Sequence, residues 1–157
     1  MKRIILLLIL SFSVMYNYAQ TKEECIKYIK TRFKARYSEG SPGEVTIIVK
    51  LEGTKLIIKT PSLGKDIHVS TVDLLDVEDV VLNYDDQIPN YQLTLFLSKK
   101  SYIESILTEE GGVEKFTPKS SFTLLGYDER EKADGEKMCK IVKHLAKLCG
   151  AKVLDIK

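Results

Sequence analysis

The chain is 157 residues long, 44% hydrophobic and 29% charged, with 24 Lys+Arg against 22 Asp+Glu. That length suits one domain, the composition supports a packed core, and nine Gly with four Pro exclude a collagen-like or low-complexity chain. Three Cys are too few for a disulfide-dense mini-protein.

The first nineteen residues read as an export signal. Lys2 and Arg3 precede an apolar run from Ile4 to Met15, and Ala19 stands at the expected cleavage position. An apolar run of about a dozen residues is short of the roughly 20 a membrane-spanning helix needs. Cleavage after Ala19 leaves residues 20–157 as a single α+β domain. Removing two of the 24 basic residues leaves 22 against 22, so that domain carries no net charge, which gives no global reason to expect nucleic acid or a membrane surface as partner.

Thr21-Lys22-Glu23-Glu24 has the form of a capping box, in which Thr21 and Glu24 each accept from the other's amide. Apolar positions follow at Cys25, Ile26, Ile29, Phe33 and Tyr37, a spacing of three and four that predicts a helix over 22–38. Gly40-Ser41-Pro42-Gly43 stops it. The β-branched run Glu44 to Leu51 predicts a strand, the Glu52-Gly53-Thr54 turn returns it, and Lys55 to Thr60 completes a hairpin. Residues 67–83 fit a helix by spacing, but Val, Thr and Asp dominate, which favours strand, a bend near Leu75-Asp76, then strand over Val77–Tyr84. Tyr91 to Leu97 is a strand with Leu93, Leu95 and Leu97 on one face. Ser101 to Leu107 fits a strand extension or a short helix, and Ser121 to Tyr127 a further strand. The closing helix has Asp134 as N-cap, a stripe of Met138, Ile141, Val142, Leu145 and Leu148, and Gly150 as its stop. Val153-Leu154 then adds an edge strand or packs down.

The expected fold is therefore α+β: an N-terminal helix, a mostly antiparallel sheet or partly open barrel of five to seven strands, and a C-terminal amphipathic helix packed on it. From Glu44 onward, strands followed by one helix from Asp134 to Cys149 resemble a pleckstrin-homology-like domain, over about two thirds of the chain. The resemblance rests on element order. It implies a fold and a general binding habit, not a ligand. Lys50, Lys55 and Lys59 lie in the first hairpin, but Glu52 among them departs from the basic pattern of phosphoinositide-binding members.

No residue pattern assigns a catalytic, cofactor or metal site. Cys139 and Cys149 are ten residues apart on one helix, about 15 Å, too far for the roughly 7 Å limit of a disulfide. A bridge would have to join Cys25 to Cys139 or Cys149; otherwise all three are buried thiols. His68 and His144 lack the spacing of a zinc site, and no G-x-S-x-G elbow accompanies them. The acidic run Asp73, Asp76, Glu78, Asp79, Asp85 and Asp86 lacks the calcium-loop pattern and reads as a solvated turn and strand edge. Charge is segregated: residues 21–38 carry six basic and two acidic side chains, residues 39–133 ten and seventeen, and residues 134–157 six and three. Attraction within the fold accounts for this. The sharper alternative is that basic helix faces, Lys27, Lys30 and Lys34 among them, meet an anionic surface.

The leading expectation is an exported, non-enzymatic binding domain for a protein, peptide or small ligand. The runner-up is an envelope-associated assembly subunit. A third reading is a hydrolase with His68 or His144 as base, which requires that histidine to lie in a concave pocket beside a carboxylate or hydroxyl.

Overall fold

The structure, a computed structural model, describes residues 21–38, 46–62, 65–87 and 89–154. The expected signal segment, the Gly40–Gly43 stop and Glu44-Val45 lie outside them. Helix α1 spans Lys22–Ser38, and the capping box forms: the Thr21 amide donates to Glu24 Oε2 at 2.8 Å and the Glu24 amide to Thr21 Oγ1 at 3.2 Å. Cys25, Ile29 and Phe33 are buried along its inner stripe, while Tyr37 stands partly in solvent.

Among the described residues eight strands follow, β1 Ile48–Glu52, β2 Lys55–Pro61, β3 Ile67–Asp73, β4 Val77–Asp85, β5 Asn90–Leu97, β6 Tyr102–Leu107, β7 Val113–Lys115 and β8 Ser121–Tyr127, and helix α2 spans Lys132–Leu148. All strand pairing is antiparallel. The strands form a five-stranded sheet of order β1-β2-β3-β6-β7 and a three-stranded sheet of order β4-β5-β8, with no closed barrel. The short β7 takes the number past the expected range; three exposed residues carry too little pattern to announce a strand.

The bend expected near Leu75-Asp76 is a 3-10 turn, Leu74–Asp76, capped by the Asp73 carboxylate accepting from the Leu75 amide. It moves the chain from one sheet to the other, so the two runs flanking it do not pair as a hairpin. The β1–β2 turn is the tight one, closed between Glu52 and Lys55, with Gly53 at φ +61° where a side chain would be strained.

Helix α2 begins two residues earlier than expected. Asp134 does not cap it; Asp128 builds a capping box on the 3-10 turn Glu129–Glu131 that leads into α2, accepting from the amides of Arg130 and Glu131, and α2 itself, with Glu131 at its N-cap, has no side-chain cap bond. Asp134 instead pairs with Arg32 and ties the two helices together. Met138, Ile141, Val142 and Leu145 are buried against the three-stranded sheet, whereas Leu148 is exposed. Gly135 is buried where α2 comes closest to the sheet: a Cβ there would stand 3.0 Å from Leu82 Cδ1 and 3.2 Å from Tyr127 Cδ2. Gly150 follows at φ +97°. Beyond it Val153 packs down and no strand forms, although the Leu154 amide donates to the Glu78 carbonyl. Helices and both sheets share one core. Across the two sheets the rings of Tyr102 and Phe122 stack 4.0 Å apart and nearly parallel.

Candidate functional site

Along a strand, alternate residues share a face, and directly opposed residues of neighbouring strands share it too. On the inner face of the large sheet this places Leu56, Ile58 and Thr60 of β2 opposite Val72, Ser70 and His68 of β3. Tyr102, Glu104 and Ile106 of β6 continue the same rows. At one end these rows are apolar and fill the core. At the other, Thr60, His68, Ser70 and Glu104 turn the face polar.

That polar end opens into a cleft of about 170 Å³. Phe33 and Tyr37 of α1 wall one side and Phe122, Thr123 and Leu124 of β8 another. On its floor the His68 imidazole Nε2 lies 2.5 Å from Glu104 Oε1. An ionised carboxylate only accepts, so in this contact the imidazole donates from Nε2. Lys119 Nζ lies 3.8 Å from the second Glu104 oxygen. The Ser70 and Tyr102 hydroxyls are 3.2 Å apart. Burial pushes the Tyr102 phenol up, partly offset by its bond to Ser70. Thr60 is 4% exposed, and its hydroxyl has no hydrogen-bond partner among the described residues. Two hydrogen-bonded pairs and one uncommitted hydroxyl thus face a space with aromatic and aliphatic walls, which suits recognition of a small polar group. A hydrolytic pair would need the Ser70 hydroxyl on His68; it bonds Tyr102 instead.

Of the residues weighed from sequence, only His68 lies here. No motif or spacing in the sequence marks Thr60, Ser70, Tyr102 or Glu104. Their signal is parity: polar residues at strand positions whose neighbours two away, Ile58 and Val72, are buried. His144 is half-buried on α2 and does not line the cleft.

The cysteines are free thiols, and neither expected bridge to Cys25 is formed. Cys25 and Cys149 are buried near one another, and Cys139, on the side of α2 facing β4, donates from Sγ to the Val80 carbonyl. Burial pushes all three thiols up, which suppresses the thiolate.

The acidic run is dispersed. Asp76 pairs with Lys99 at 3.3 Å and Asp79 with Lys143 at 2.9 Å, while Asp85 accepts from Gln92. No group of three or more His, Cys, Asp or Glu capable of holding a metal occurs among the described residues. Attraction between the basic helices and their acidic surroundings is realised in part by Arg32 with Asp134, Arg36 with Glu131 and Lys143 with Asp79. On α1, Lys27 and Lys30 are exposed, and Lys27 edges an open groove of about 370 Å³ beside Tyr28. Lys137 Nζ and the Arg32 guanidinium lie 5.1 and 5.5 Å from the centre of the Tyr28 ring.

A second small cavity, about 80 Å³, is lined by Arg32, Arg36, Glu131 and Tyr127. The buried Tyr127 hydroxyl has no partner there, and burial drives its ionisation far up. Among the described residues no helix is long and apolar enough to cross a membrane. No family model matches this chain, and no similar curated protein or solved structure is found.

Proposed function

We propose that this protein is an exported binding domain that holds a small polar ligand, or one polar side chain of a peptide, in the cleft between α1 and the large sheet. The observation that carries the reading is the inner sheet face turning from apolar to polar at Thr60, His68, Ser70 and Glu104, just where the core opens. A folded chain gains nothing in stability from polar groups on a core-facing surface, so a recognition role accounts for them. At about 170 Å³ the space is below the usual 300–1,000 Å³ of drug-sized ligands, so the occupant is small or enters by one end. Export rests on Lys2, Arg3, the Ile4–Met15 run and Ala19. The order of strands followed by a helix, with its likeness to pleckstrin-homology-like domains, is compatible with a binding role.

Protein recovered from the exported fraction tests both halves. Native mass spectrometry is expected to give a mass beginning at Gln20 with a non-covalent passenger. NMR titration with small polyols, amides and amines is expected to move resonances of residues 60, 68, 70, 102 and 104 together, and Glu104→Gln to weaken the effect about tenfold, the factor for one lost charge-assisted bond. Scattered shifts, or none, reject the binding reading. The His68–Glu104 pair favours a second reading, a hydrolase with His68 as base. Turnover of an ester or amide panel that His68→Gln abolishes would establish it instead.

A further inference from the structure

The outer face of the large sheet is independent of the cleft. Its register places Ile48, Ile57, Ile67, Ile103, Leu107 and Val113 on the side opposite the core. Ile48, Ile67, Ile103 and Val113 are each 40% exposed or more. No described element covers this face: α1 contacts β1 and α2, and α2 contacts the three-stranded sheet. Set among the aliphatic residues are Lys59 and Lys115, together with Lys50, which is paired with Glu52. The carboxylates of the face, Glu52 and Asp73, fall in one row at its far end with Lys55 between them. Elsewhere on it lysine is the only charged type, although residues 39–133 hold ten basic side chains against seventeen acidic.

Cores of protein–protein interfaces are poor in lysine and rich in aromatic side chains, Met and Arg. Here lysine is interleaved with aliphatic residues, and the rows named contain no aromatic ring. A second copy laid face to face would set four lysines of each copy, Lys50, Lys55, Lys59 and Lys115, against two carboxylates of the other, one of them already paired with Lys50. A layer of anionic lipid headgroups meets both features: aliphatic tips enter the headgroup boundary, lysine stems lie along apolar surface, and the ammonium groups reach dispersed phosphates. We propose that this sheet face docks the protein peripherally on an anionic phospholipid surface, in contrast to the basic helix faces that the sequence first brings forward.

The test is co-sedimentation with vesicles of phosphatidylcholine alone or mixed with phosphatidylglycerol, at low and high salt. Every variant keeps the parent's N-terminus, so residues 4–15, if present, contribute equally to all. The parent is expected to bind the anionic vesicles preferentially and to release in high salt. Lys59→Gln and Lys115→Gln are each expected to lower partitioning about fivefold, the factor for about 1 kcal/mol per basic residue at an anionic surface. Ile103→Ser with Ile67→Ser is also expected to lower it, and the triple change of Lys27, Lys30 and Lys34 to Gln to leave it unaltered. All these positions are exposed or half-exposed, and urea midpoints confirm that each variant folds. Equal binding to both vesicle types, or loss only in the helix triple variant, overturns the proposal. So does a dimer in sedimentation velocity that Ile103→Ser dissociates while the parent ignores vesicles.

Discussion

Replacing Thr60 by Val removes one hydroxyl and keeps the shape of the side chain. Thr60 is 4% exposed, its neighbours across the strands and along β2 include buried Ile58, and its hydroxyl bonds no described residue. Burying an unpaired hydroxyl costs about 1–3 kcal/mol in protein mutational data. The hydroxyl is not one of the buried polar atoms without a partner and lines a cleft that water can enter, so the penalty lies at or below the lower end, and Thr60→Val is expected to stabilise the fold by at most about 1 kcal/mol. Both residues favour strands, which keeps the backbone contribution small. For a chain of this size that is about 2–4 °C in Tm, with an unchanged urea m-value. Urea and thermal unfolding followed by circular dichroism measure it. The same variant should bind a cleft ligand about fivefold more weakly, the worth of one net hydrogen bond. A stability loss of about 1 kcal/mol or more would refute the reasoning, because it would mean that the hydroxyl supports the strand rather than awaiting a ligand.

Gly135→Ala sets a helix-propensity gain of about 1 kcal/mol against overpacking of about 1–3 kcal/mol on Leu82 and Tyr127. A net loss is expected, smaller in a Leu82→Ala background; additive effects across the cycle would show that the contact is not felt. Leu95→Ala, at a fully buried centre of the small sheet, should cost about 2–5 kcal/mol in urea unfolding. Native protein should react slowly with iodoacetamide at pH 8 and label at Cys25, Cys139 and Cys149 only on denaturation, since burial raises all three; rapid native labelling contradicts that. Raised thiols and phenols are neutral in the fold and ionise first in the unfolded chain. Their stabilisation is complete below the unfolded values of about 9 and 10, and is lost as pH climbs through the higher folded ones. Tyr127→Phe should flatten the upper part of that fall, and an identical pH curve for the variant would exclude Tyr127 as a source.

The helices were legible because their signals are local. The Thr21–Glu24 box and the spacing of Cys25, Ile29 and Phe33 lie within one element, and both form. Most strands were legible for the same reason; β7 carries too little pattern, and Ser101 to Leu107 fits strand or helix until the structure decides for strand. Strand pairing was not: Leu74–Asp76 reads as a bend in either case, and only packing decides that β3 and β4 join different sheets. Asp134 has the chemistry of an N-cap, but Asp128 with Glu131 makes the reciprocal box on the 3-10 turn just before the helix, and Asp134, inside the first turn of α2, pairs with Arg32. The cleft was least legible. Ser70 and Glu104 are neighbours across β3 and β6, 34 positions apart in sequence, and nothing local places them together. What the sequence does carry is the parity of Thr60, His68 and Ser70 against Ile58 and Val72, a signal that becomes usable once the inner face is known.

The alternation of the chain between its sheets governs the order in which it can be completed during synthesis. Strands β1, β2 and β3 emerge first and can meander locally, but the open edge of β3 waits for Tyr102–Leu107, after the whole β4–β5 hairpin has been made for the other sheet. That hairpin in turn lacks β8 until residue 127 and its covering helix until residue 148. Until then the nascent chain presents unpaired strand edges and uncovered apolar faces, the features that recruit holding chaperones and invite wrong pairing. The last 25 or so residues described are thus the ones that close the molecule, and a chain truncated before Lys132 would leave the small sheet without the helix that covers it.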